Sequence, residues 1–511
     1  MDALGRTFRP QNDTYAISPS GHFYIHYDTT GNAAPALKDI DPENGVPDYV
    51  DEVGVIADSA HHVLVTIMGY DEEPFDGEGG YDIYIQSYSA GAYGWNIHES
   101  NGKSYLKIDN DYVGYNSIFN LTPIQIMRIS VGHEYFHGIQ WGYNYNLLGN
   151  KYFYEMTSMW FEDVLIPDGN DYLDDWVDPF LQNPTADFDN TGDGYELALF
   201  GHYLSSFLDP KGIETARNST IIREIWERYG NTSSNTFSSM KFVLENNYNI
   251  SFIEAWTDFI SRNLYNGLDE SFYYYIDQAL VNPIHTTATS LLDSTRFSMS
   301  LDNESANIKS YQISDMDVLL DINHSSDDYL GRMSIVSSSV YNDLIWGTDT
   351  SEVALEANSI IHFVYGTNSQ SLNLSIDVIA YGSPIPPNDL TAITLQDRVI
   401  LNWSPSTGPG DSLYYVIFRN LDSIYTTVEN DTHYVDNQGI EGSMPYSYYI
   451  TCRNNIGESQ PSNTISIESW PSEEDVDQNQ ILAIYPNPVR KRGDSNILYA
   501  LETNYYSTSL E

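Results

Sequence analysis

Two histidines four residues apart, with a carboxylate directly after the first, stand in Val131-Gly-His-Glu-Tyr-Phe-His-Gly-Ile-Gln140 of this 511-residue chain. On an α-helix, positions i and i+4 share a face, so His133 and His137 can reach one metal ion. Glu134 then lies beside that metal, placed to take a proton from a water the metal activates. Two helical histidines can also do no more than satisfy buried hydrogen bonds, so the reading needs a third donor. The next segment, Tyr152-Phe-Tyr-Glu-Met-Thr-Ser-Met-Trp-Phe-Glu-Asp-Val164, brings Glu155 eighteen residues after His137. Two His, one Glu and an open position for water make up a catalytic zinc site.

These residues must be held by helices. Thr122 can cap, Pro123 suits the first helical position, and Ile124, Met127, Val131 and Tyr135 recur at spacings of three and four. The segment carrying Glu155 also reads as a helix, antiparallel to the first across a short loop. Upstream, Phe23, Ile25 and Tyr27 alternate as a strand, residues 50–68 read as a helix, and 80–85 and 105–108 as strands. Downstream, helices are expected over 197–208, 219–229, 236–245 and 251–263.

At the paired motifs the chain resembles the zincin metallopeptidases of the gluzincin branch, whose third ligand is a Glu on the following helix. The other main branch requires H-E-x-x-H-x-x-G-x-x-H, and Gln140 and Tyr143 stand at its last two positions. Within gluzincins the chain is similar to a bacterial family of exported zinc peptidases. That family pairs S-G-H-F-x-I-H-Y and N-G-x-P-D-Y-V with H-E-x-F-H and E-x-x-[AS]-x-W-x-E. The matching stretches are Ser20 to Tyr27, Asn44 to Val50, His133 to His137 and Glu155 to Glu162, and the resemblance spans roughly residues 15–275. It implies an α+β zincin-like domain, with Glu155 as third zinc ligand and Glu162 behind a zinc-binding His, fixing its tautomer. It also implies a sheet beside the zinc helix, whose edge strand holds extended peptide; the stretch 93–108 is the candidate edge. His202 or Tyr203 would hydrogen-bond the oxyanion of the tetrahedral intermediate.

Two acidic loops suggest calcium beside zinc. Asp39-Ile-Asp-Pro-Glu-Asn-Gly-Val-Pro-Asp-Tyr-Val-Asp-Glu52 sets Asp41, Asn44 and Asp48 around a glycine turn, although the spacing departs from the EF-hand and Asp48 could instead cap a helix. Asp187-Phe-Asp-Asn-Thr-Gly-Asp-Gly-Tyr-Glu196 offers Asp187, Asp189 and Asp193 in the same manner, against the reading of a plain surface turn.

The balance of 22 basic against 72 acidic residues gives a net charge of −50, which argues against nucleic acid and anionic membrane as partners. A single cysteine, Cys452, excludes an intrachain disulfide and a cysteine-based metal site. No apolar run approaches the roughly 18 residues of a membrane helix, so no membrane insertion is expected. The first residues lack a signal pattern, and residues 1–20 read as a leader or propeptide remnant.

Beyond residue 283 the helical period gives way to strand alternation, and 284–383 reads as a β-sandwich. Residues 384–469 resemble a fibronectin type III module, with Trp403 inward, Tyr446 at the corner and Cys452 in the core. Residues 470–511 read as an acidic linker followed by Ile484-Tyr-Pro-Asn-Pro-Val489, which resembles the start of the C-terminal sorting domain of type IX secretion. The expectation is therefore a multidomain bacterial protein, secreted or attached at the cell surface through a partial sorting domain. A zinc metalloendopeptidase domain spans 21–283 and acts on protein or peptide substrates. The alternative is a zincin-fold surface adhesion or binding protein that no longer catalyses, and retention of Glu134 counts against it.

Overall fold

The helix that carries His133 begins where its sequence says it should. The Thr122 hydroxyl accepts from the Gln125 N–H, the Gln125 side chain reaches back to the Thr122 N–H, and Pro123 fills the first helical position. The computed structural model describes residues 9–469, 495–501 and 504–510, apart from 76–78, 89–92, 100–101, 116–119, 174–175, 185–187, 189–192, 210–219, 233, 292–294, 303–304, 314–317, 326–328, 338–339, 347–350, 356–357, 368–371, 382–383, 385, 396, 407–412, 429 and 455–456.

The chain opens with strands β1 (Thr14–Ile17) and β2 (Phe23–Tyr27), followed by helix α1 (Asp48–His61), which runs into a π-helical stretch, His62–Ile67. Strands β3 (Tyr81–Gln86), β4 (Gly94–His98) and β5 (Ser104–Asp109) complete a five-stranded sheet ordered β1-β2-β3-β5-β4. Its three central strands are parallel, and the outer strands β1 and β4 run antiparallel to their neighbours. The expected alternation in β2 is present: Phe23, Ile25 and Tyr27 are buried and the residues between them are not.

Helix α2 (Pro123–Tyr143) packs against β4, β5 and α1 on one side and α3 (Lys151–Leu165) on another, so nearly all of it past the first turn is buried. Shorter helices follow: α4 (Asp178–Gln182), α5 (Ala198–His202) running into a π-helical stretch Tyr203–Leu208, α6 (Ile221–Gly230), α7 (Thr236–Asn247) and α8 (Phe252–Asn263). Asn235 caps α7, and Ser251 with Glu254 forms a capping box on α8. Large aromatics, among them Trp160, Trp226, Trp256, Phe200 and Phe259, fill the space between these helices in edge-on and tilted pairs.

Residues 288–381 form a sandwich of one five-stranded and one four-stranded sheet around Met299, Leu301, Ile313, Phe363, Leu374 and Ile376. Part of the outer face of the five-stranded sheet is covered. Ala306 and Val364 join the core of the N-terminal region, and α8 packs across that face.

A second sandwich has three strands (Asn388–Leu395, Arg398–Ser404, His433–Asp436) facing four (Asp422–Thr426, Tyr414–Arg419, Pro445–Arg453, Ile465–Glu468). Trp403 packs edge-on against Tyr415 in its core, and Cys452 is buried beside them. The Tyr446 hydroxyl accepts from the Glu441 N–H at 2.8 Å and donates to the Gly439 carbonyl at 3.3 Å, tying the corner before its strand. Strands Ser495–Leu501 and Asn504–Leu510 pair as an antiparallel hairpin, while Ile484 to Val489 lies outside the described residues. Among the described residues no helix is long and apolar enough to cross a membrane. The protein is thus multidomain, with a helix-rich N-terminal region on one mixed sheet and all-β modules after it.

Candidate metal centre

Helices α2 and α3 are antiparallel, so contacts between them follow a nearly constant index sum: His133 meets Glu162, His137 meets Ser158, and Gln140 meets Tyr154. That register drops Glu155 onto the face shared by the two histidines. Glu155 Oε2 lies 3.3 Å from His133 Nε2 and 3.2 Å from His137 Nε2, and the two Nε2 atoms are 3.2 Å apart. Bonds of about 2.0–2.1 Å in a tetrahedral zinc site set ligand atoms about 3.3 Å from one another. The triangle therefore fits that ion, with two nitrogens and one oxygen as donors. Glu162 does not enter it.

The far nitrogens decide whether the near ones are available. His133 Nδ1 donates to Glu162 Oε1 at 2.6 Å, and His137 Nδ1 donates to Gln140 Oε1 at 2.7 Å. Gln140 cannot turn its amide around. Its Nε2 donates to the Tyr154 carbonyl at 3.1 Å, to Thr157 Oγ1 at 3.0 Å and to Ser158 Oγ at 3.1 Å. Both far nitrogens are thereby committed as donors, which leaves each Nε2 as the atom that faces the shared point.

Charge follows the same plan. Burial would raise the Glu155 carboxyl, but the His137 and His133 imidazoles hold it well below the usual carboxylate range. Burial pushes Glu162 up to about 7 against the pull of His133. His133, which burial alone would lower, is carried well above its ordinary value by the Glu155 and Glu162 carboxylates. Burial also raises Glu134, with the histidines opposing.

Glu134 and the three residues of the triangle line a cleft of about 830 Å³ bounded by Gly94, Trp95 and Asn96 of the edge strand β4, and by Trp176 and Tyr195. Asn96 pins that strand onto α2. Its Nδ2 donates to the Glu134 carbonyl at 2.8 Å, and its Oδ1 accepts from Trp141 Nε1 at 2.8 Å. Gly94 allows the approach: a Cβ there would stand 2.9 Å from Ser130 Oγ and 3.1 Å from Glu134 Cγ. The Tyr195 ring, 6.2 Å from that of His133, leans on Trp176. Gly194, at φ +94°, brings the chain so close to α3 that a Cβ would fall 2.2 Å from the Tyr152 carbonyl oxygen.

Sequence reasoning assigned the oxyanion role to His202 or Tyr203, and neither borders the cleft. The Tyr203 hydroxyl donates to Asp258 at 2.7 Å in the interior, and the His202 ring stacks on Tyr275 at 4.3 Å. The π-helical stretch that starts at Tyr203 belongs to the core, whereas Tyr195, in the turn before α5, is among the tyrosines that line the cleft.

Part of the first acidic loop hydrogen-bonds within itself. Asp48 accepts from the Ile40 and Asp41 N–H groups, and Asn44 donates to Asp51. Among the described residues, the two clusters of His, Cys or carboxylate groups close enough to share an ion include neither Asp41 nor Asp48. In the second loop Asp193 pairs with Lys151 at 2.5 Å, and Asp187 and Asp189 lie outside the described residues. Gln140, Asn96 and Tyr195 were missed. The one usable signal was the Gly194-Tyr195 step, a glycine delivering an aromatic directly after the acidic run.

Comparison with known proteins locates one family match, in the C-terminal half. No curated protein matches the chain. Among solved structures, the fibronectin type III domain of human fibronectin type III domain containing protein 3 is 20% identical, covering 18% of this chain and 92% of its own, with a TM-score of 0.17. An Fn3-like protein from Clostridium thermocellum is 22% identical over 18% of this chain and 96% of its own, with a TM-score of 0.15. Residues 385–468 match the family described as fibronectin type III domain, and that module is part of this protein.

Proposed function

We propose that this protein is a zinc-dependent endopeptidase of the gluzincin type, with His133, His137 and Glu155 as metal ligands. The observation that carries this reading is the triangle of ligand atoms 3.2–3.3 Å apart, with each imidazole's far nitrogen already committed. Zinc bound there would supply Lewis acidity, lowering the pKa of a water and polarising the scissile carbonyl. Glu134 takes the proton released by the attacking water and passes it to the leaving amine. Burial raises this carboxyl toward the range where it can do both. The Tyr195 hydroxyl donates to the oxygen that gains charge in the tetrahedral intermediate. Strand β4, at the sheet edge and along the cleft, pairs with an extended peptide through its main chain. We read the enzyme as exported to the bacterial surface or beyond it, from the Tyr-Pro-Asn-Pro segment that follows the fibronectin-type module.

A surface adhesion protein with a silent centre is the competing reading, favoured by the fibronectin-type module, since such modules commonly space or bind. Digestion of denatured casein by the full chain separates the two. The expected result is hydrolysis that a zinc chelator stops and zinc restores. Glu134→Gln should keep its zinc and lose roughly 10²–10⁴-fold in rate, the usual contribution of a general base. A zinc-loaded wild type without hydrolysis, or Glu134→Gln with near wild-type activity, would overturn the proposal.

A further inference from the structure

The segment Ser20 to Tyr27 plays no part in the centre just described, yet its first histidine stands in a second triad. His22, His61 and Glu73 each offer a ligand atom, and these atoms lie within 4.8 Å of one another. They come from three places: the start of β2, the last residue of α1 and the loop before β3. His22 Nε2 meets Glu73 Oε1 at 2.6 Å, and the His22 and His61 rings lie 4.1 Å apart between centroids. The Glu73 side chain is 6% exposed, and its other oxygen accepts from the Tyr135 hydroxyl at 2.5 Å. His61 Nε2 is buried with no hydrogen-bond partner, and Glu72 Oε1 lies 3.8 Å from it.

We infer that His22, His61 and Glu73, with Glu72 placed to supply a fourth donor, form a second, structural site for a divalent cation of the zinc class. Two imidazoles and a carboxylate suit zinc, cobalt or nickel; magnesium and calcium prefer all-oxygen shells. A protein site with its positions filled by side chains braces rather than catalyses. Tyr135 shows what is braced. It lies two residues past His133, on the opposite side of α2, and its ring packs edge-on against Phe23 and Tyr81. An ion here ties β2, α1 and the 72–73 loop to the back of the helix that carries the catalytic histidines.

In the ion-free arrangement a proton on His22 bridges to Glu73, and 2.6 Å is too close for two ligands of one ion. Loading therefore exchanges that proton for the cation and spreads the pair to about 3.3 Å, a movement within reach of side-chain rotation. The alternative is that the triad is a hydrogen-bonded pair with a stacked neighbour and binds nothing.

The test is zinc stoichiometry on the full chain after chelator stripping, measured against a competing chelator that masks weak surface sites. The inference expects two equivalents in the wild type and one in His133→Ala/His137→Ala. It also expects one in His61→Asn and in His22→Asn, both still hydrolysing casein. In the His133→Ala/His137→Ala chain, zinc but not magnesium should raise the melting temperature, and adding His61→Asn should abolish that rise. The unliganded melting temperatures of the His22 and His61 variants serve as the control for folding. One equivalent in the wild type and none in His133→Ala/His137→Ala would overturn the second site and leave the first intact. One equivalent that disappears with His61→Asn but survives His133→Ala/His137→Ala would overturn the first and keep the second.

Discussion

Among the described residues, two His-His-Glu triads lie on opposite sides of one helix, and they are built to different tolerances. In the centre on α2 and α3, both imidazoles are held from behind: Glu162 and Gln140 take the Nδ1 protons, and Gln140 is itself locked by three acceptors. The ligand atoms already stand at metal-bound spacing. In the triad of His22, His61 and Glu73, only the carboxylate has such support, from Tyr135, and a ligand nitrogen is itself spent on a hydrogen bond. The difference teaches what a preorganised site costs in sequence. The first triad needs two packed helices in register, whereas the second needs only three side chains meeting beside a strand end. A site preformed in this way binds tightly and holds one geometry, as catalysis requires; a site that must exchange a proton and rearrange suits an ion whose task is to brace.

The largest effect should come from breaking the first triad at its oxygen. Glu155→Ala leaves two adjacent imidazoles without their carboxylate, and is expected to lose most of its zinc and all measurable hydrolysis. Metal analysis after dialysis checks it, and a Glu155→Ala chain that stays loaded while Glu162→Ala empties would reverse the assignment of ligand and support. Next in size is Tyr195→Phe. Removing one donor to a developing oxyanion typically lowers kcat by roughly 10²–10³-fold. Zinc content and KM should stay near those of the wild type. An unchanged kcat would return the oxyanion role to another group lining the cleft.

Smaller again is the loss of the supports. Glu162→Ala removes the acceptor that fixes the His133 tautomer, and should weaken zinc by roughly 10–100-fold without emptying the site. Gln140→Leu should do the same at His137 and add a packing defect, since the amide bridges both helices. If neither variant changed zinc affinity, the contrast between a braced and an unbraced triad would lose its physical basis.

What the sequence revealed of this site was what repeats at short range. His133, Glu134 and His137 follow a helical period, Thr122 and Pro123 mark the helix start, and Tyr446 ties to Glu441 and Gly439, five and seven residues away. What stayed hidden depends on contacts between distant elements. Asn96 grips Glu134 from 38 residues away, and nothing in a strand asparagine announces a helix carbonyl as its partner. Tyr195 was passed over for Tyr203 because both are tyrosines near α5, and only the fold decides which one faces the cleft. The docking of the first sandwich on α8 left a trace that went unread. Ile360-Ile-His-Phe-Val-Tyr is a near-continuous apolar run, buried at all but its first residue, as a strand covered on both faces requires.

A third kind of buried imidazole tests the comparison most finely. His202 is 1% exposed, stacked on Tyr275, and neither of its nitrogens has a hydrogen-bond partner. Burial pushes it down to about 3, whereas the carboxylates around His133 drive that imidazole the other way. The sign follows from proton counting. Below about 6.5 the unfolded chain protonates this histidine while the folded chain does not, so the unfolded state binds more protons. Stability from His202 is complete above pH 6.5 and is lost progressively as the pH falls toward 3, at up to about 1.4 kcal/mol per pH unit. Asp163, whose Oδ2 lies 3.6 Å from His202 Nε2, acts in the opposite sense. Burial raises its carboxyl well above the usual value, so its contribution is present at low pH and lost as the pH rises through its folded value. His202→Phe removes the first effect and leaves the second, while keeping a ring to stack on Tyr275. The variant's melting temperature should therefore fall less steeply than the wild type's between pH 6.5 and 4. Because His202 does not border the cleft, hydrolysis at neutral pH should be nearly unchanged. Parallel melting curves for the two proteins across that window would show that His202 titrates as an exposed imidazole does. A loss of activity comparable to that of Tyr195→Phe would place His202 back in the chemistry.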